Sequence, residues 1–285
     1  MATVVPIDIR PDTLRGWLKP RPADSHKGDF GRVGVVGGAP GMAGAALLAA
    51  RAALWLGAGR VYVGLLDNRI AADPVMPELM IVPPEHALAL APPACLVLGP
   101  GLGHSGTARQ CLADALRKPL PLLLDADGLN LLARDAELQT LLKQRQASTL
   151  LTPHPGEAGR LLGLDSQTVQ ADRPGYAQQL AERFGCTIVL KGTGSLVATP
   201  DGQLWRNATG NPGLASAGMG DALAGMIAAL AAQGLMLERA AIYATHLHGA
   251  AADKLVAAGE GPVGLSASEV TRAARGLLNA WTLAG

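Results

Sequence analysis

The sequence predicts an α/β fold: a central, mostly parallel sheet flanked by helices on both faces, with a short antiparallel edge. Three observations carry it. Six short apolar runs are nearly continuous rather than alternating, the pattern of strands buried on both faces. The segments between them are long enough for crossover helices. After Leu190 the rhythm changes to Gly- and Pro-punctuated pieces at hairpin spacing.

Along the chain, Val33-Gly-Val-Val-Gly37 opens the series, and the apolar segment 43–58 behind it reads as its crossover helix. Runs at 60–66 and 95–98 follow, then a helix over 105–117. The runs 120–124 and 148–152 bracket a helical segment at 128–145, and 187–190 closes the set after 156–184. Lys191-Gly-Thr-Gly194, Thr199-Pro-Asp-Gly202 and Gly210-Asn-Pro-Gly213 then separate short extended pieces. Three helices are predicted beyond them, over 218–233, 238–258 and 266–281, the last with Ser266 and Glu269 at capping-box spacing. No linker, repeat or charge run divides the chain, so 1–285 reads as a single domain.

Composition narrows the function. Hydrophobic residues make up 49% and charged ones 16%, which excludes a disordered chain. With 24 Lys and Arg against 23 Asp and Glu, the net charge of +1 supplies no field for nucleic acid or anionic membranes. Small molecules and other copies of the chain are the expected partners. Cys95, Cys111 and Cys186 form no CxxC pair, which fits a reducing compartment rather than a zinc or disulfide site. Neither a secretion signal nor an anchor is evident, and the charge-free stretch 33–50 is broken by glycines and Pro40, so a cytoplasmic location is expected. Asn207-Ala-Thr209 then reads as a chance glycosylation triplet.

Two glycine-rich loops carry chemistry. Gly101, Gly103 and Gly106 satisfy G-x-G-x-x-G behind a strand, with Asp125 ending the next one. That is dinucleotide-turn spacing, but it is weakly specific in a chain with 36 glycines, and Pro100 occupies the turn. The second loop, Asn211 to Asp221, opens a long apolar helix, so the amides of Gly218, Met219 and Gly220 form a candidate anion hole for a phosphoryl group. Asp221 would repel a resting phosphate there, yet could take the proton from an attacking hydroxyl; the plainer reading is a helix cap. No Walker lysine motif occurs. Asp125 and Asp127 could hold Mg²⁺ with nucleotide phosphates or could cap a helix, leaving the metal ligands undetermined. Lys27 could meet phosphate or solvent. His246 and His248, two apart on a helix, share no face for a metal, and Trp17, Trp55, Trp205 and Trp281 read as packing residues.

The string Gly210-Asn-Pro-Gly-Leu-Ala-Ser-Ala-Gly-Met-Gly-Asp-Ala-Leu223 resembles the signature of the ADP- or ATP-dependent NAD(P)H-hydrate dehydratases, which have the ribokinase-like fold. Lys27-Gly-Asp-Phe-Gly31, Gly44-Ala45, Gly99-Pro-Gly-Leu-Gly103, Leu124-Asp-Ala-Asp-Gly-Leu-Asn130, Leu151-Thr-Pro-His-Pro-Gly-Glu157 and Leu190-Lys-Gly-Thr-Gly194 are similar to that family's motifs in the same order. The resemblance implies repair of hydrated NADH and NADPH, the S epimer, with release of AMP and phosphate when ADP, the preferred donor, is used with Mg²⁺. By resemblance, Asp221 activates the ring hydroxyl; Lys191, Gly192, Thr193, Gly194, Ser195 and Gly220 bind the AMP part; and Ala45, Gly103, His154 and Asp221 line the hydrate pocket. Two departures, Ala217-Gly218 for a glycine pair and Ser216 where threonine is common, leave the backbone donors in place. The epimerase that accompanies many bacterial relatives is expected on a separate protein, and a homo-oligomer, a tetramer, is expected. The alternative is a ribokinase-like kinase of a small hydroxymethyl vitamin precursor, which would leave a stable phosphorylated product.

Overall fold

The computed structural model describes residues 5–283. In chain order the elements are β1 (Ile7–Asp8), α1 (Pro11–Leu14), β2 (Arg32–Gly37), α2 (Ala43–Trp55), β3 (Arg60–Leu65), β4 (Met80–Val82), α3 (Pro84–Leu88), β5 (Ala94–Leu98), α4 (Gly106–Leu116), β6 (Leu122–Leu124), α5 (Ala126–Arg134), α6 (Ala136–Gln144) and β7 (Thr149–Leu151). Then follow α7 (Pro155–Leu162), α8 (Ser166–Ala171), α9 (Arg173–Phe184), β8 (Thr187–Leu190), β9 (Leu196–Ala198), β10 (Leu204–Arg206), a 3₁₀ turn at Pro212–Leu214, α10 (Met219–Ala232), α11 (Leu237–Ala257) and α12 (Ala267–Leu283).

The strands form one ten-stranded sheet in the order β1-β10-β9-β8-β7-β6-β5-β2-β3-β4. All pairs are parallel except β8–β9 and β9–β10. The expected antiparallel strands are present, but they are not the outermost: β1 pairs with β10 in parallel and covers it. Its two residues are too few to read from the sequence. Successive residues of a strand face opposite sides, so each apolar run feeds two cores. Val33, Val35, Val61, Val63 and Val97 pack under α2, α10, α11 and α12. Val36, Leu96, Leu98, Leu122 and Leu124 pack under α4, α5, α6, α7 and α9.

Two segments read as long enough for crossover helices are each divided into more than one helix. Asp135 ends α5 and caps α6, its carboxylate accepting from the Glu137 and Leu138 amides. The segment after β7 holds three helices, because Gly163 closes α7 in the left-handed conformation and Asp165 and Asp172 cap α8 and α9. Strand order reverses between β5 and β2, and the crevice beyond their carboxyl ends is where open α/β sheets bind ligands. Gly38 and Ala39 donate to the carbonyls of Pro100 and Gly101, joining the two loops that wall this crevice.

Candidate active site

Adjacent parallel strands end side by side, and here three of them deliver ionisable groups to one place. Asp125 follows β6, His154 lies three residues beyond β7, and Lys191 follows β8. Lys191 Nζ donates to Asp125 Oδ1 at 2.7 Å and stands 3.9 Å from Glu157 Oε2. Burial opposes the Lys191 charge, but Asp125, Glu157 and Asp221 outweigh it and hold the ammonium above its usual range. Ala126 (φ 47°), between Asp125 and Asp127, is the one non-glycine residue with positive φ among those described. Strain of about 1–3 kcal/mol of this kind persists where surrounding structure imposes it.

The glycine loop meets the same place. Gly218 adopts φ 84°, a left-handed turn that starts α10 with no side chain capping its first amides. Donors free of protein partners at a helix start are open to an anion. Gly220 lies against the ion pair, since a Cβ there would sit 3.2 Å from Lys191 Nζ. Asp221 occupies the first turn rather than the cap position. Burial, then Asp125, pushes its carboxyl from the ordinary 3.8 to about 7, with Lys191 pulling the other way. A carboxylate titrating there is poised to exchange a proton at neutral pH.

A cleft of about 750 Å³ opens beside the loop. All six residues expected to contact AMP, Lys191 to Ser195 and Gly220, line it, as does Met219. Ala45, Gly103, His154 and Asp221 do not line it. Gly103 stands at the strand-order reversal, its amide donating to Asp127 Oδ2 at 2.9 Å, and Ala45 faces the same turn through Gly101. His154 also serves its own helix. Its Nδ1 accepts from the Gly156 amide at 3.0 Å, its own amide donates to Glu157 Oε2, and together they form the capping box of α7. Burial and then Lys191 depress its pKa, so the ring is neutral with the proton on Nε2, 3.3 Å from Glu157 Oε1. Lys27 is exposed, and its carbonyl packs by Gly59 where β3 begins, at the opposite end of the sheet.

Sequence reasoning missed three contributors. Arg173, at the start of α9, donates to the carbonyls of Leu190, Thr193 and Gly194 and so shapes the cleft loop. Only its place before a proline at a helix start was visible. Thr245 and His248 line the cleft from α11. Polar residues at i, i+3 within an apolar helix were the available signal.

A profile described as NAD(P)H-hydrate dehydratase matches residues 33–273. The chain belongs to the NAD(P)H-hydrate dehydratase family. It is 43% identical over 266 residues, 92% of its length and 90% of the relative's, to an ADP-dependent (S)-NAD(P)H-hydrate dehydratase of Neisseria meningitidis serogroup B. It is 41% identical to the bifunctional NAD(P)H-hydrate repair enzyme of Escherichia coli over 86% of this chain, which spans about half (47%) of that relative. A crystal structure of an ADP/ATP-dependent NAD(P)H-hydrate dehydratase from Bacillus subtilis, co-crystallised with ATP/Mg²⁺, superposes with a TM-score of 0.85 at 31% identity, covering 98% of this chain and all of that one. A ribokinase-like protein of Enterococcus faecalis gives 0.82 at 27% identity, covering 96% of each. The fold is thus ribokinase-like, and every NAD(P)H-hydrate dehydratase motif from the first long strand to Asp221 lies inside the matched region.

Proposed function

We propose that this chain dehydrates the S epimer of hydrated NADH and NADPH, using ADP in preference to ATP, as one domain over residues 1–285. The observation that carries the reading is Asp221, raised to about 7, in the first turn of a helix whose uncapped amides adjoin a cleft of nucleotide size. Hydroxide is a poor leaving group, so the hydroxyl is first made into a phosphate ester. The Asp221 carboxylate takes the ring hydroxyl's proton as its oxygen attacks the terminal phosphorus. The bond from that phosphorus to the bridging oxygen breaks, and AMP leaves. Phosphate then departs with its bonding pair while the neighbouring ring carbon gives up a proton to water, and the C–H pair left behind becomes the restored double bond.

Gly218, Met219 and Gly220 hold the phosphoryl group through their amides. Lys191, Gly192, Thr193, Gly194 and Ser195, with Gly220, hold the AMP part. Ala45, Gly103 and His154 face the hydrate with Asp221, at the crevice where strand order reverses. Mg²⁺ would enter with the nucleotide phosphates. No three acidic, histidine or cysteine side chains converge on a metal position among the described residues, Asp125 is engaged by Lys191, and Asp127 by the Gly103 amide. No helix of the described residues is long and apolar enough to cross a membrane. A cytoplasmic homotetramer, receiving its substrate from an epimerase, completes the reading; sedimentation at assay concentration tests the assembly.

The deciding assay follows NADPH absorbance when the protein receives its hydrate and Mg²⁺ with ADP or with ATP. A nucleotide-dependent rise, larger with ADP, is expected. A flat trace with both, alongside a stable phosphorylated product from another alcohol, overturns the reading in favour of a small-molecule kinase.

A further inference from the structure

We propose that Arg173 is a positioning residue for the nucleotide: it gathers the carbonyls of the loop after β8 behind the cleft and so turns that loop's amides toward the bound ligand. The inference rests on the reading of the cleft as a nucleotide site. Arg173 does not line the cleft, so it acts through the loop that does. Its guanidinium donates to the Thr193 carbonyl and to those of Leu190, Lys191 and Gly194 at 3.1, 3.4 and 3.3 Å. The other two carbonyls of the stretch are also taken. Gly192 accepts from the Ser195 hydroxyl at 2.9 Å, and Ser195 accepts from the Asn207 amide at 2.8 Å. The amides are left over. Lys191 donates to the Pro153 carbonyl, but the amides of Gly192, Gly194 and Ser195 have no acceptor among the described residues. In a trans peptide the N–H and the C=O point in opposite directions. Holding the Lys191, Thr193 and Gly194 carbonyls on a group behind the loop therefore aims the next amides, those of Gly192, Gly194 and Ser195, at the side where these residues line the cleft.

Arg173 goes against its local setting. It is the first residue of α9, at the positive end of the helix dipole, where a cation is disfavoured. Burial pulls its pKa down, and no carboxylate stands close enough to raise it again. A half-buried cation without an acid is costly, and such violations of local rules concentrate where function requires them. Four carbonyls offset the charge on one side of the loop, and an anionic nucleotide on the other side would feel what remains. The loop is shaped to this guanidinium. Gly192 adopts φ 135°, and a Cβ there would stand 3.2 Å from a guanidinium nitrogen of Arg173.

Calorimetric titration of ADP into the wild type, Arg173→Ala and Arg173→Lys tests the role. Both variants should bind ADP at least about tenfold more weakly, because lysine keeps the charge but, as a single point, cannot span four carbonyls. Guanidinium chloride at a sub-denaturing concentration should restore affinity to Arg173→Ala, and sodium chloride at the same concentration should not. In the hydrate assay the loss should fall on KM for ADP and leave KM for the hydrate unchanged. Arg173→Lys follows most of the arginine's path, so the test survives should Arg173→Ala not fold. ADP affinity within about twofold of the wild type in either variant overturns the positioning role. So does a loss that guanidinium fails to restore, or one that falls equally on KM for the hydrate, while ADP binding by the wild type upholds the cleft. Absence of ADP binding by the wild type overturns the nucleotide reading and this inference with it.

Discussion

Asp221 carries the proton balance of the site. A base must be ionised to work, so turnover should fall as pH drops through about 7, the value to which burial and Asp125 raise it. Asp221→Asn should lower turnover by about 10²-fold or more with nucleotide binding kept, read as kcat against the Kd for ADP. Comparable turnover would remove Asp221 from the mechanism. The linkage sign follows from the raised value: the folded protein keeps a proton that the unfolded chain releases from about pH 4 upward. The stability this contributes is full below pH 4 and is lost as pH rises through 7. Asp221→Asn should therefore gain roughly 1–3 kcal/mol over the wild type at pH 8 and little at pH 4, by urea unfolding. Lys191→Met should act oppositely on the pH profile. It removes the charge that lowers the Asp221 pKa, moving the acid limb to higher pH, and it strands Asp125 at a cost of roughly 2–4 kcal/mol. An unmoved limb would separate Lys191 from Asp221. The motif around Asp221 made that residue legible in the sequence. The partner of Lys191 was not, because Asp125 lies 66 positions away and only the ends of β6 and β8, one strand apart in the sheet, bring them together.

At the scale of elements, α10 is the beam that aims Asp221, and its seat is α2. A Cβ on Gly225 would come within 1.9 Å of the Ala49 carbonyl, so the two helices cross at backbone contact. Gly225→Ala must push them apart even though alanine favours helix, so thermal unfolding should show a loss of roughly 1–3 kcal/mol. Equal or higher stability would mean that the crossing is loose. The central strands were readable because burial on both faces writes a continuous apolar run. Helix ends were harder. Asp135, Asp165 and Asp172 each cap a helix inside segments whose apolar periodicity runs on past them, and a single aspartate does not outweigh that pattern on inspection. Strands β4, β9 and β10, of three residues each, form because neighbours are already in place to pair with them.

For the molecule as a whole, the reversal of strand order explains why a weak dinucleotide pattern could mark a real crevice while naming the wrong kind of enzyme. Glycines let the 99–103 turn close over Asp125 and Met42, which any ligand crevice at that spot requires. They do not say whether the ligand is cofactor or substrate. The same global view gives β1 a meaning beyond its two residues. It pairs with β10 through Ile7–Trp205 and Asp8–Arg206, the Ile9 amide donates to the Arg206 carbonyl, and Arg206 reaches Asp8 at 2.7 Å. Without it, β10 becomes a bare edge of unpaired amides and carbonyls, the template on which strands of separate molecules join. Removing residues 1–9 should therefore turn a clear solution into one whose light scattering grows with concentration, and unchanged scattering would show that the edge is protected by other means. Because β10 runs directly into Asn207, a seam of two residues at one margin of the sheet abuts the strand whose end lines the cleft.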